Sequence, residues 1–142
     1  MASLIAILSG VLMSVQGVFN TRVTEKSGIW FTNVIIHCIG LLACLIVLAF
    51  ARDANLDGLK SVNKFYLLGG VIGVGIVYTV ILSISKLGPA GATMLILIAQ
   101  LVASYLIELF GLFGTEKVHF QWTKLLAVGV IAAGIVLFQW KK

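Results

Sequence analysis

Long apolar runs, separated by short polar connections, make up most of this chain. Each of the five runs has about 20 residues, the length that an α-helix needs to cross the roughly 30 Å hydrocarbon layer of a bilayer. They cover residues 3–20, 30–51, 65–85, 89–114 and 124–140. The pattern predicts an all-α, polytopic membrane protein with five transmembrane helices in a single transmembrane domain over residues 1–142.

The composition supports a lipid environment. Of the 142 residues, 61% are hydrophobic and 11% are charged, which is too few charges to cover the surface of a soluble domain. The net charge of +5 comes from Lys and Arg residues scattered between the apolar runs, so it does not indicate nucleic-acid binding. Cys38 and Cys44 lie within one apolar run and are interpreted as free thiols. No basic residue precedes the first run, which is therefore predicted to be a transmembrane helix and not a cleaved signal.

The distribution of basic residues leaves the orientation open. An odd number of helices puts the termini on opposite sides of the membrane, and each side then has five basic residues. One side has Arg52, Lys60, Lys64, Lys117 and Lys124, and the other has Arg22, Lys26, Lys86, Lys141 and Lys142. An excess of Lys and Arg normally marks the cytoplasmic side. Either some boundaries are misplaced and the chain has one orientation, or it inserts both ways and pairs with an inverted copy of itself.

Polar side chains recur at helical spacing inside the apolar runs. Lipid offers no hydrogen bonds, so these groups must face another helix or a wet cavity. The candidate solute-binding residues are Gln16, Asn20, Asn33, His37, Gln100 and Ser104, and the third run adds Tyr78, Thr79 and Ser83 to the pattern. The alternative is that single amides and hydroxyls only join helices, at about 0.6–2 kcal/mol per contact.

Two ionisable residues are candidates for proton coupling. Glu108 is the only acid well inside a run, and His37 is a histidine, the residue type whose free side chain exchanges a proton near neutral pH. Glu108 lies close to the end of its run, so it can alternatively reach interfacial water or pair with a lysine. For His37 the alternative is a packing role. The chain has no metal-spaced cluster, phosphate-binding glycine loop or nucleophile–base pair, so the sequence predicts no metal, no cofactor and no enzymatic activity.

Small residues four positions apart indicate close helix packing. Gly69 and Gly73 form one such pair, and Gly129 and Ala133 form another. Small residues at this spacing let helix backbones approach closely. The fifth run has almost no polar side chain, so it is predicted to contribute to a dimer contact and not to a solute path.

Several stretches together resemble a known family. SGVLMSVQGVFNTRV, LIAQLVASYLIELFGLFG and KLLAVGVIAAGIVLF are similar to the five-helix YdcZ-like family of bacterial membrane proteins. This family belongs to the drug/metabolite transporter superfamily and is distantly related to small multidrug resistance exporters and EamA-type transporters. The most specific parts are the Gln16–Gly17–Asn20 group and the segment that ends in Glu108–Gly111. The resemblance implies an antiparallel homodimer, a ten-helix bundle whose inverted halves rock around a site near the bilayer midplane.

The resemblance also sets an expectation for function. It implies a secondary transporter in the bacterial inner membrane, with a small polar metabolite or xenobiotic as the solute. The related four-helix exporters use a glutamate on helix one, where this chain has Gln16, so a close copy of proton-coupled drug exchange is not expected. Two other functions remain open: a non-transporting membrane scaffold or regulatory subunit, and a flippase for a lipid-linked carrier.

Overall fold

Helices account for most of the protein. The computed structural model describes residues 1–51 and 55–140. The α-helices are α1 (Ala2–Ser27), α2 (Ile29–Phe50), α3 (Leu56–Ser61), α4 (Gly69–Phe110) and α5 (Trp122–Gln139), and short 3₁₀ helices cover Lys64–Leu68 and Leu112–Gly114. No strand occurs in the described ranges, so the all-α class is confirmed for them.

Three helical segments of the described chain are long and apolar enough to cross a membrane: Ala2–Ser27, Ile29–Phe50 and Lys64–Phe110. The third has 47 residues, about twice the length that one crossing needs. Gly88, with φ 74° and ψ 164°, interrupts it; we call residues 69–87 α4a and residues 89–110 α4b. The apolar helix Trp122–Phe138 is shorter. These lengths support an integral membrane protein, while the count of five crossings stays a prediction.

The first helix continues beyond the apolar run predicted over residues 3–20, since α1 ends at Ser27. Hydrophobicity falls after Asn20, but falling hydrophobicity does not end a helix. An i,i+3 ion pair between Arg22 and Glu25, 3.1 Å apart, supports the polar last turns. The helix ends at Gly28, with φ 79° and ψ 155°, a backbone conformation that is essentially restricted to glycine. The expected connection over residues 21–29 is therefore one residue long.

The boundaries of the last two helices also differ from the prediction. The helix that starts at Pro89 ends at Phe110 and not at residue 114, since Gly111 has a left-handed conformation with φ 63°. The final helix begins at Trp122, two residues earlier than expected. Pro89 directly follows the break at Gly88, where its fixed φ suits a first helical turn. Arg52, Lys141 and Lys142, which enter the charge balance, lie outside the described residues.

The chain divides into two compact units, Met1–Lys86 and Leu87–Lys142. In the first unit, α1 approaches α4a closely at Gly17, where a Cβ atom would lie 2.7 Å from Ile84 Cδ1. Among the described buried side chains of this unit, polar residues outnumber apolar ones. They are Ile81 and Ile84 on one hand, and Asn20, Thr21, Thr32 and Asn33 on the other. Most large apolar side chains are exposed, as expected for helices that contact lipid or a second chain.

Candidate functional site

Asn33 is a buried amide between α2 and α4a. Its residue surface is only 3% exposed, and its Nδ2 donates a hydrogen bond to the carbonyl oxygen of Val74 at 3.1 Å. A carbonyl oxygen only accepts hydrogen bonds, so the nitrogen of the amide must face Val74. Asn33 Oδ1 is left buried, with no hydrogen-bond partner among the described atoms.

His37 lies one helical turn further along α2. Its Nδ1 is 2.8 Å from the backbone carbonyl oxygen of Asn33. Because that oxygen can only accept, the proton of the neutral ring is on Nδ1, and Nε2 is an acceptor. Nε2 lies 3.8 Å from the position that a Cβ atom on Gly73 would occupy. The absence of a side chain at Gly73 therefore leaves room beside the half-buried imidazole.

An aromatic pair lies next to the amide. The rings of Trp30 and Tyr78 stack with their centroids 5.0 Å apart and an interplanar angle of 26°. Positions 30, 33 and 37 share one face of α2 at helical spacing, and this face meets α4a. We call this group of residues the α2–α4a site: Trp30, Asn33, His37, Gly73, Val74 and Tyr78.

The last turns of α1 bury further polar side chains. Asn20 and Thr21 are 7% and 8% exposed. Thr21 Oγ1 donates to the carbonyl of Gly17 at 2.8 Å, and Thr24 Oγ1 is buried with no partner among the described atoms. Sequence reasoning missed Thr21 and Thr24 because it placed them in a connection. The four-residue spacing that continues from Asn20 to Thr24 was the available signal.

Two hydroxyls connect α1 to α2 across Gly28. Ser27 Oγ lies 3.0 Å from Thr32 Oγ1 and 2.8 Å from the carbonyl of Val23, while Thr32 Oγ1 lies 2.9 Å from the carbonyl of Gly28. Each hydroxyl has one proton to donate. The three short contacts therefore have only two donated protons between them. The contacts hold the two helix ends together near Asn33.

The predicted solute-binding residues are only partly brought together. Asn33 and His37 are neighbours in the α2–α4a site, and Asn20 is buried in the same unit. Gln16 is exposed on α1. Gln100 and Ser104 are exposed on α4b, in the second unit. A binding role for these three exposed residues stays a prediction.

Glu108 pairs with a lysine, which was one of the alternatives for this residue. Its Oε2 is 3.4 Å from Lys124 Nζ, and about half of each side chain is exposed. Lys124 Nζ also lies 5.1 Å from the centroid of the Tyr105 ring, and Tyr105 Oη accepts a hydrogen bond from the backbone N–H of Gln121 at 2.9 Å. These contacts join the end of α4b to the start of α5.

Replacement of Glu108 by glutamine is expected to have a small effect. A half-exposed ion pair contributes less than about 1 kcal/mol, so Glu108→Gln and Lys124→Met each lower the thermal stability only slightly. A double-mutant cycle measured by thermal unfolding gives the coupling between the two side chains. A loss of solute flux in Glu108→Gln, with stability unchanged, would contradict this structural role and favour proton coupling at Glu108.

The predicted packing residues have different surroundings. Gly73 lies beside His37, whereas a Cβ atom at Gly69 or Gly129 would have no atom within 4 Å. Ala133 is exposed. Gly69, Gly129 and Ala133 are thus open in the single chain, and their part in a dimer contact stays a prediction. Within the described ranges, no group of three or more His, Cys, Asp or Glu side chains is arranged to hold a metal.

The comparison with known proteins gives one match. The model of the family described as "Putative inner membrane exporter, YdcZ" matches residues 1–137, which is nearly the whole chain. No curated protein and no solved structure matches the chain.

Proposed function

The chain belongs to the YdcZ family of inner-membrane exporters, and we propose that it moves a small polar solute by alternating access, as a dimer of oppositely inserted copies. Membership of this family makes the protein a transporter of the inner membrane. The solute class, the mechanism and the dimer are our proposal. A non-transporting scaffold and a lipid-carrier flippase are the competing functions.

The observation that carries the proposal is the buried Asn33 Oδ1 without a partner. A buried acceptor that is left unsatisfied costs about 1–3 kcal/mol, and lipid cannot satisfy it. An amide that only joined α2 to α4a through Nδ2 would leave the cost at Oδ1 unrelieved, whereas an apolar residue packs helices without this cost. A solute that donates a hydrogen bond to Oδ1 removes the cost while it is bound. The α2–α4a site is therefore our candidate for solute contact.

The exposed amides support a second copy. Gln16 and Gln100 are exposed on apolar helices, where lipid would leave their hydrogen-bonding groups unsatisfied. A partner chain that covers them gives them polar neighbours, and Gly69 and Gly129 offer open surfaces for close helix contact. The equal numbers of basic residues on the two sides favour a partner of opposite orientation.

A dimer of oppositely inserted copies contains the two inverted repeats that alternating access uses. Transporters of this kind combine two inverted repeats that rock around a site near the bilayer midplane. Two oppositely inserted copies provide these repeats from a single chain. With five membrane crossings in each copy, the complete transporter has ten crossings.

We expect each connection of the chain to be reachable from both sides of the membrane. Single cysteines at Val62 and Leu87, both exposed and uncharged, leave the balance of basic residues unchanged in a background without Cys38 and Cys44. A membrane-impermeant maleimide applied to intact cells, and then to inverted vesicles, measures the labelled fraction from each side. Comparable fractions from both sides at both positions support dual insertion. Labelling of Val62→Cys from one side and Leu87→Cys only from the other contradicts it.

A flux assay separates the transporter from its rivals. Proteoliposomes shrink when a polar solute is added outside, and light scattering follows their return to volume as the solute enters. We expect faster recovery than in protein-free liposomes for at least one solute with N–H or O–H donors. A scaffold gives no acceleration for any solute, and a flippase instead accelerates the reduction of a fluorescent lipid probe by an impermeant reagent.

A further inference from the structure

We infer that the transported solute is held through its own N–H or O–H groups, by Asn33 Oδ1 and by the unprotonated Nε2 of His37. The solute is therefore a small uncharged hydrogen-bond donor, such as an amide or a polyol, and not an anion. This inference rests on the proposed transport function and names the chemistry of the same site.

Two acceptors lie on one face of α2, and backbone contacts fix the role of each. The carbonyl of Val74 accepts from Asn33 Nδ2 at 3.1 Å, which leaves Oδ1 as the remaining polar atom of the amide. The carbonyl of Asn33 accepts from His37 Nδ1 at 2.8 Å, which leaves the lone pair on Nε2. Side chains four residues apart on a helix are neighbours, about 6 Å between their Cβ atoms. Asn33 Oδ1 is buried, so a small solute with two donors can contact both acceptors only when the helices separate during the proposed alternating-access cycle.

The charges around the site favour an uncharged solute. Tyr78 is the titratable side chain that α4a contributes to the site, and it stacks on Trp30. On α1, the charged side chains are confined to the last two turns. Arg22 and Glu25 pair with each other there, and Arg22, Glu25 and Lys26 are all exposed. The only carboxylate on α1, α2 and α4a is that of Glu25, which already pairs with Arg22. A cation would thus enter an apolar region without a free carboxylate from these helices, which is costly. An anion would face two lone pairs and be repelled.

Gly73 offers a way to block Nε2 without disturbing the fold. A methyl group at position 73 would lie 3.8 Å from Nε2, an ordinary van der Waals distance that closes the space beside the imidazole. Gly75 is the matched control. It lies on the same helix, and a Cβ atom there would have no atom within 4 Å. Both substitutions have the same effect on helix propensity.

The test uses nitrogen NMR of histidine in the purified full-length protein. The chain has two histidines, so His119→Gln leaves the signal of His37 alone. Urea, an uncharged donor, is added at up to about 0.1 M, which covers millimolar dissociation constants. Tetramethylurea, which retains the carbonyl but has no N–H, is the matched probe. We expect urea to shift the Nε2 resonance at neutral pH, and tetramethylurea to leave it unchanged.

The two glycine variants then decide the outcome. Gly73→Ala is expected to weaken the urea response by about tenfold or more, and Gly75→Ala to retain it. Equal shifts with urea and tetramethylurea, no shift with urea, or equal losses in both glycine variants would overturn the inference.

Urea flux into proteoliposomes distinguishes the failure of this inference from that of the proposed function. A donor-dependent shift without flux supports recognition at this site and argues against transport. Urea flux without a donor-dependent shift supports transport and overturns the assignment of Asn33 and His37 as the binding acceptors.

Discussion

Gly28→Ala will destabilise the hairpin of α1 and α2 by about 1–3 kcal/mol. Gly28 has φ 79° and ψ 155°, in a region of backbone conformation that other residues occupy only under strain. The cost arises from the backbone alone, because a Cβ atom at this position would have no atom within 4 Å. Asparagine is not expected to rescue the hairpin. It tolerates the left-handed helical region, where ψ is near 50°, but Gly28 has ψ 155°.

The control for Gly28→Ala is Gly40→Ala, in the interior of α2. A Cβ atom at Gly40 would also have no atom within 4 Å, so the two substitutions differ in backbone conformation and not in contacts. Gly40→Ala is expected to be neutral or to stabilise by up to about 1 kcal/mol through helix propensity. In a background with Trp122→Phe and Trp140→Phe, tryptophan fluorescence during thermal unfolding in detergent follows the Trp30–Tyr78 contact. Equal melting temperatures for the two variants would show that the turn tolerates a side chain.

Asn33→Ala will reduce solute flux by at least about tenfold, while the protein remains folded. The substitution removes Oδ1, to which we assign a hydrogen bond from the solute, and a lost hydrogen bond of about 1.4 kcal/mol already corresponds to a factor of ten. It also removes the hydrogen bond from Nδ2 to Val74. The stability changes little, because the substitution removes a buried, unsatisfied acceptor at the same time.

The control for Asn33→Ala is Ser85→Ala on α4a. Ser85 is exposed, and its hydroxyl donates to the carbonyl of Leu82 in its own helix at 2.9 Å, so its removal should leave flux unchanged. Flux is measured by light scattering on proteoliposomes at equal protein content, and the melting temperature is measured on the same samples. Unchanged flux in Asn33→Ala, together with normal stability, would rule out solute contact at this residue.

The hydrophobic pattern predicted where the helices lie better than where they end. Runs of about 20 apolar residues are a strong signal because bilayer thickness requires that length. α1 ends seven residues after the apolar run that ends at residue 20, since helix ends depend on backbone conformation at positions such as Gly28 and Gly111. A drop in hydrophobicity shows only that a segment leaves the apolar layer, and such a segment can still be helical.

The candidate site was predictable in its side chains but not in their partners. The helical spacing of Asn33 and His37 placed them on one face of α2. The groups that fix their hydrogen-bonding roles are the carbonyls of Val74 and Asn33, and every residue has such a carbonyl, so the sequence gives no sign of them. The pairing of Glu108 with Lys124 was one of several alternatives from sequence, and its 3.4 Å contact depends on the course of the connection between α4b and α5.

The predominance of polar residues among the buried side chains of Met1–Lys86 affects how this unit comes apart. Lipid tails are as apolar as leucine, so the hydrophobic effect does not hold helices together within a bilayer. The close approach at Gly17 and a few polar contacts remain to do so. The backbone hydrogen bonds inside each helix, in contrast, have no competitor in lipid. Heating or harsh detergent will therefore separate helices that stay intact, so circular dichroism in the far ultraviolet will persist after the aromatic signals of the packed protein have disappeared.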